Sequence, residues 1–286
     1  MDLVYTHRRN GPATLPQSRF GGGQVWAILW GVAIHRVFSD QRLTFDQNSL
    51  SITGEQAHHA ARVKRVVTGD VVDVLDGQGS IARCRVTETG KIRGEMVISL
   101  SVERLETAPA PSPWVHIASA TPKADRASWM IEQLAQVGCA AWSPLQTQRG
   151  VVDPGETKVE RLQRISTESA KQCGRPWLMQ IAEPLTLKQA LGSAGMTVLL
   201  ADETGKPAME VAKVGQVQSA AGGSAKRPAR FLVLVGPEGG WTPQELELAD
   251  AAVGGSVARI ALGPHVQRIE TAAVIATALL MQFAGQ

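Results

Sequence analysis

The chain has 286 residues, with 29 Lys and Arg against 26 Asp and Glu, a formal net charge of +3 and a pI near 8.9. Its 44% hydrophobic and 19% charged content is that of a globular protein rather than a disordered one, and so mild a charge does not by itself single out a polyanionic partner. No window reaches about eighteen apolar residues, which argues against a membrane span. Cys84, Cys139 and Cys173 are widely spaced and form no CxxC pair, which argues against a disulfide framework and a zinc site and fits a reducing cytoplasm. His58 and His59 are adjacent, about 100° apart on a helix, so no metal centre is expected from them.

Residues 1–33 read apart from the rest. Arg8, Arg9 and Arg19 face only Asp2, and Gly21–Gly23 precede the apolar run from Val25 to Ile34. A basic stretch before an apolar one has the outline of a signal peptide, but His35, Arg36 and Val37 follow instead of a small-x-small cleavage site. The segment is expected to be an extension outside the fold.

From Ile34 to Leu105 the pattern is strand-like. Val71–Leu75 and Ile81–Val86 are β-rich runs around the turn signal Asp76-Gly77-Gln78-Gly79, and Met96–Val102 alternates with the period of a half-buried strand. Thr53 and Gln56 have capping-box spacing, which predicts one helix to about Arg65 with a stop near Gly69. Short strands with a single helix suggest a small barrel. Pro109-Ala-Pro111-Ser-Pro113 then stiffens the chain as a linker, placed at 107–113.

Beyond the linker strands alternate with helices. Val115–Ala120, Ala140–Leu145, Val198–Ala201, Phe231–Val235 and Val257–Leu262 read as strands. Helices are predicted over Asp125–Val137, stopped by Gly138, over Lys158–Cys173 and over Ile269–Phe283. This rhythm predicts an α/β domain around a largely parallel sheet. The Gly-, Ser- and Ala-rich stretch Gln216–Pro228 is expected to be a loop.

Two glycine-bearing turns stand out. Phe231–Val235 runs into Gly236-Pro237-Glu238-Gly239-Gly240-Trp241, and Thr242, Pro243 and Glu245 then form a helix start with an N-cap, a proline in the first turn and a capping box. Val257–Leu262 ends likewise in Gly263-Pro264-His265-Val266-Gln267-Arg268, before Ile269, Glu270 and Thr271. The GxxGG spacing is neither the dinucleotide fingerprint nor a phosphate loop, and alone it reads equally as a bare turn. Two such turns at neighbouring strand ends make a backbone-lined pocket where ligands sit in open α/β sheets.

At these residues the sequence resembles the SPOUT methyltransferases, and more narrowly the RsmE family of 16S ribosomal RNA uridine-N3-methyltransferases. GPEGGWTPQELELAD and LGPHVQRIETAAVIATALL carry the likeness; HHAARVKRVVTGDVVDVLDGQGSIARCRV is similar to that family's PUA-like barrel, and Pro122-Lys123, Gly138, Pro144, Arg149 and Glu168–Arg175 match in the middle. The resemblance implies a trefoil-knotted α/β domain over 114–286 preceded by a PUA-like β-barrel over 34–106. It also implies S-adenosylmethionine as cofactor, a cytoplasmic homodimer, and 16S rRNA or the assembled small subunit as partner, with no metal. The cofactor would be held by Leu200, Gly236, Pro237, Glu238, Gly239, Gly240, Leu262, Gly263, Val266, Gln267, Arg268 and Thr271. Arg268 is the candidate for stabilising charge on the uracil oxygens. Glu270 is the candidate general base, with a helix-end carboxylate favoured by the dipole as its other reading. Arg62, Lys64, Arg65, Arg83, Arg85, Lys123, Arg149, Gln172 and Arg175 are the candidate RNA contacts, with Lys91 and Arg93 close by. Gln133, Gln136, His265 and Ile269 depart from the family pattern, which bears on substrate positioning. A ribose 2′-O-methyltransferase and a non-catalytic RNA-binding protein of the same fold are the alternatives.

Overall fold

The computed structural model describes residues 35–62, 64–152, 158–211, 229–252 and 257–282, so the expectations for 1–33 and for 216–228 lie outside the described residues. Two sheets account for the strands. The first contains β1 (His35–Phe38), β2 (Ser49–Ile52), β3 (Val71–Leu75), β4 (Ser80–Ile92) and β5 (Glu95–Thr107) in the order β1-β3-β4-β5-β2. Its pairings are antiparallel except β1 with β3. No pairing joins β1 to β2 among the described residues, so the expected barrel is open at that seam. Helix α1 (Gly54–Arg62) packs against β1 and β5, and Ala57 and Ala60 join a core of Val72, Val74, Cys84, Val86, Ile98 and Leu100.

Val71–Leu75 forms β3 at its predicted bounds, whereas the other two predicted strands are cores of longer ones, because β4 and β5 continue as a paired ribbon through polar residues whose alternation is weak. Helix α1 stops at Arg62 instead of Arg65, which adopts a positive φ of 53° that no right-handed helix accommodates.

The second sheet is wholly parallel. Its elements are β6 (Trp114–Ser119), α2 (Ala124–Val137), β7 (Ala141–Gln146), α3 (Val159–Cys173), β8 (Gln180–Ile181), β9 (Leu185–Thr186), α4 (Leu187–Leu191), β10 (Thr197–Pro207), β11 (Arg230–Val235), α5 (Pro243–Asp250), β12 (Val257–Ala261) and α6 (Ile269–Gln282). The order is β12-β10-β11-β6-β7-β8, with β9 also on β7. Successive residues of a strand face opposite sides, and here both sides are apolar. Val115, Ile117, Leu199, Val233 and Val235 pack with residues of α2, α3 and α6; Ala118, Val198, Leu200, Leu232 and Leu234 pack with those of α4 and α5. That two-sided burial is why the strands read as continuous apolar runs. Gly138 closes α2 in the left-handed region at φ 100°, as its position predicts.

The two sheets are welded together. Gly79 N–H donates to the Pro176 carbonyl at 3.1 Å, Leu178 N–H to the Gly77 carbonyl at 2.9 Å, and the Trp177 indole to the Ala108 carbonyl at 3.2 Å. The Asp76–Gly79 turn is therefore a docking element as well as a hairpin turn. A Cβ on Gly79 would lie 2.5 Å from the Trp177 ring, whereas one on Gly94, also at positive φ, would meet nothing within 4 Å. Gly79→Ala is predicted to destabilise the protein by at least about 1 kcal/mol more than Gly94→Ala in chemical denaturation. Equal losses would remove the weld from the account.

One buried group sets a pH dependence. His116 on β6 shares a hydrogen bond of 3.0 Å with the Ser143 hydroxyl. Burial, with the Arg230 charge adding to it, pushes its pKa from 6.5 down to about 4. Above pH 6.5 the ring is neutral folded and unfolded; between 6.5 and about 4 only the unfolded chain binds the proton, so stability falls as pH falls. The predicted loss is up to about 3 kcal/mol, and His116→Gln should flatten that limb of the stability curve.

Candidate active site

Strands β12, β10 and β11 lie side by side and parallel, so their carboxyl ends deliver three loops to one edge. This corrects the expectation that the two glycine turns follow neighbouring strands: β10 stands between β11 and β12 and supplies a third wall. The register between β10 and β12 slips between Ala201 and Lys206, leaving Asp202–Gly205 out of the ladder. A cavity of about 500 Å³ opens there, lined by Ala201–Thr204 of the first loop, Val235–Trp241 of the second, and Leu262, Gly263, His265, Val266 and Gln267 of the third.

Close backbone approach shapes its walls. A Cβ on Gly205 would fall 2.5 Å from the backbone of Ile260, and one on Gly236 would fall 2.9 Å from the Trp241 ring. Trp241 folds under Gly236 and donates its Nε1–H to the Ala201 carbonyl at 2.9 Å, tying the β11 loop to β10. Arg149 Nη1 holds the same loop from outside through the carbonyls of Gly239, at 2.7 Å, and Trp241, at 3.3 Å. The predicted start of α5 is present: Thr242 accepts from Glu245 N–H while the Glu245 carboxylate accepts from Thr242 N–H, with Pro243 in the first turn. The other Glu245 oxygen accepts from Gln148 N–H at 2.8 Å, so the cap also pins the 146–149 loop. Asp250 pairs with Arg259, joining α5 to β12.

Nine of the expected cofactor residues line the cavity: Gly236, Pro237, Glu238, Gly239, Gly240, Leu262, Gly263, Val266 and Gln267. Leu200 does not. It is 0% exposed and belongs to the core on the α4 and α5 side, because strand alternation turns it into the sheet's packing layer. Arg268 and Thr271 also lie outside the lining: Ala272 N–H bonds the Arg268 carbonyl at 2.9 Å, which makes Arg268 the exposed residue capping α6. Gln267 donates Nε2–H to the Leu262 carbonyl at 3.3 Å, and its buried Oε1 has no partner among the described residues. Glu270 is buried in the first turn of α6. Its Oε1 lies 3.7 Å from Arg126 Nη1, and its buried Oε2 is unpartnered among the described residues.

The expected RNA contacts divide. Arg62, Arg65 and Lys123 are exposed. Arg83 and Arg85 are exposed but held by Asp73, at 3.2 Å, and Glu103, at 2.7 Å, so the barrel face they share is charge-balanced, not a bare cationic patch. Lys64 turns inward and donates to the Arg36 carbonyl at 2.9 Å; burial and then the Lys171 charge lower its pKa. Arg175 is a correction of the same kind. It donates to the Ala135 carbonyl at 2.9 Å, leaves Nη2 buried, and has its pKa lowered chiefly by desolvation. Arg149 is a strut of the cavity loop, as above. Gln172 is exposed and accepts from Gln136 at 3.4 Å, joining two helices through one of the departures from the family pattern.

Asp202, Glu203 and Arg126 were missed in the sequence. An acidic pair directly after an apolar strand was the available signal for the first two, whereas Arg126 in the first turn of a helix looked like any solvated charge. Trp241→Phe, which keeps an aromatic side chain but removes the N–H bonded to Ala201 and part of the ring volume, is predicted to cost at least about 1–2 kcal/mol in denaturant unfolding. No loss would show that the indole N–H does not hold the loop.

Residues 109–281 match the sequence model of the RNA methyltransferase domain, and residues 52–98 that of the RNA methyltransferase PUA domain. The ribosomal RNA small subunit methyltransferase E of Synechocystis sp. is 32% identical over 234 residues, covering 80% of this chain and 72% of the relative. The Bacillus subtilis protein of that name is 30% identical over 236 residues, covering 80% of this chain and 88% of its own. Among solved structures, the ribosomal RNA small subunit methyltransferase E from Neisseria gonorrhoeae bound to S-adenosyl methionine shares the fold with a TM-score of 0.69. It is 21% identical and covers 87% of this chain and 98% of that one. The chain that builds this cavity belongs to the RNA methyltransferase family, among the ribosomal RNA small subunit methyltransferase E proteins.

Proposed function

We propose that the protein transfers a methyl group from S-adenosylmethionine to N3 of a uridine in 16S rRNA of the small subunit. The observation that carries the reading is the cavity at three parallel strand ends, in a chain whose relatives are named for rRNA small-subunit methylation. Its residues fit the cofactor. About 500 Å³ lies within the range of small-molecule sites. Gly236 and Gly239 bring the loop backbone to the cavity wall by packing against Trp241 and Arg149, the buried Gln267 Oε1 offers an acceptor, and Asp202 and Glu203 add carboxylates to the lining that would suit a cationic donor. The backbone of Leu262 and Val266 completes the adenosine cradle in this reading. When bound, the cofactor supplies an electrophilic methyl group on a sulfonium.

The protein's own residues supply the rest. Uracil N3 carries a proton and attacks only once it is lost. Glu270, with one carboxylate oxygen unpartnered, would take that proton and leave the N3 electron pair free to attack the methyl group that the bound cofactor would supply. Arg268, exposed at the amino end of α6, stabilises the negative charge on the uracil oxygens. Arg62, Arg65 and Lys123 meet the surrounding phosphates, and the base leaves its stack to reach the cavity.

The trefoil knot belongs to this proposal. Its support is the family likeness together with the return of the chain from β12 at the sheet edge to α6 against β6 and β11, a crossover compatible with a knotted path. So does a homodimer in the cytoplasm: Val266, 81% exposed beside the cavity, and Trp129, 47% exposed on α2, are apolar surface a second copy would cover. Light scattering that returns a monomer would remove the dimer.

Nucleoside mass spectrometry of 16S rRNA treated with the protein and labelled cofactor should show N3-methyluridine. A label on ribose 2′-oxygen would overturn the base assignment. Glu270→Gln and Arg268→Ala are each predicted to lower kcat by about 10²-fold or more with cofactor affinity nearly unchanged. Wild-type turnover at saturating cofactor would remove the mutated residue from the mechanism.

A further inference from the structure

Arg126 stands where the wall of the cofactor cavity meets the buried carboxylate. It lies in the first turn of α2, fixed by its own N–H donating to the Lys123 carbonyl at 3.0 Å. One guanidinium nitrogen, Nη1, lies 3.1 Å from Glu238 Oε1 and 3.7 Å from Glu270 Oε1. Glu238 belongs to the cavity lining on the β11 loop, while Glu270 belongs to α6 and has a side chain only 7% exposed. Three elements distant in sequence thus meet at one cation. A carboxylate as buried as Glu270 is costly to keep ionised without a partner, and Arg126 is its one ion-pair partner among the described residues. Because the cation engages Oε1, the unpartnered Oε2 is left as the oxygen able to take a proton.

We propose that Arg126 is a positioning residue for methyl transfer, its guanidinium bridging Glu270 and Glu238 so that the proton-accepting carboxylate and the cofactor loop are held in one fixed relation. This rests on the reading of Glu270 as the base. Both carboxylates face one nitrogen, Nη1, which the rigid guanidinium plane keeps in place between them, whereas a lysine ammonium on its flexible stem is a mobile point charge. The bridge also separates Arg126 from Arg268, which is exposed, carries no ion pair among the described residues and is assigned to the uracil oxygens only by the proposed function.

The test is a double-mutant cycle on kcat and on KM for S-adenosylmethionine, with 16S rRNA as substrate and thermal melting to verify folding. Arg126→Ala should lower kcat at saturating cofactor at least about tenfold in the wild-type background and less than about twofold in the Glu270→Gln background. Its KM should change by a smaller factor than its kcat. Arg126→Lys keeps the charge and recovers only part of kcat, and it reads the bridge where the alanine variant does not fold. An equal kcat loss from Arg126→Ala in both backgrounds, or full kcat in Arg126→Lys, would overturn the positioning role alone. Wild-type kcat in Glu270→Gln would instead overturn the base assignment on which it rests.

Discussion

Three parallel strands ending on one edge, the two inner ones buried on both faces, are the constraint on which the site depends. Val198–Ala201 and Phe231–Val235 have no polar face to turn outward, so helices cover both sides and loops carry the polar groups at the strand ends, while β12 at the sheet edge turns Arg259 toward Asp250 of α5. Glycines then serve where backbone meets backbone or ring. Trp241 binds the result together: its ring fills the space a Cβ on Gly236 would take, and its N–H reaches across to the carbonyl of Ala201.

The polar groups around the cavity fall into two kinds. Glu245, Arg149 and the Asp250–Arg259 pair have their hydrogen-bonding capacity engaged by loops and helix ends, and they hold the walls. Gln267 Oε1 and Glu270 Oε2 are buried without partners among the described residues. Buried polar atoms are nearly always satisfied, so the unsatisfied Gln267 Oε1 in the cavity wall marks where a ligand completes the bonding, while Glu270 lies behind that wall, reached through Arg126 and Glu238. The same distinction corrects the RNA surface: Arg175 and Lys64 spend their charge inside, while Arg62, Arg65 and Lys123 remain at the surface.

Much of the fold was legible in the chain. The apolar runs at β3, β6, β7, β11 and β12 became strands within a residue of their predicted bounds, whereas β4, β5 and β10 continue past theirs through polar residues; Gly138 ended its helix, and the Thr242–Glu245 capping box formed as its spacing requires. These features depend on local chemistry, which a few neighbouring residues decide. β1, β2, β8, β9 and α4 escaped because each is short and interrupted by polar residues, unlike the equally short but unbroken apolar run at β3. The opening of the barrel at the β1 and β2 seam escaped as well, since pairing between strands far apart in sequence leaves no trace in either.

The family likeness, the α/β rhythm and the two glycine turns were matters of sequence alone, since they rest on residue identity and spacing. Strand order was not. Only the folded sheet set β10 between β11 and β12, brought Asp202 and Glu203 to the cavity, and sent Leu200 into the core one residue away from the wall. The meeting of Arg126, Glu238 and Glu270 was equally a decision of the tertiary structure. Charges 112 and 144 residues apart become partners only when packed helices and a strand end place them within 4 Å, a distance no sequence pattern encodes.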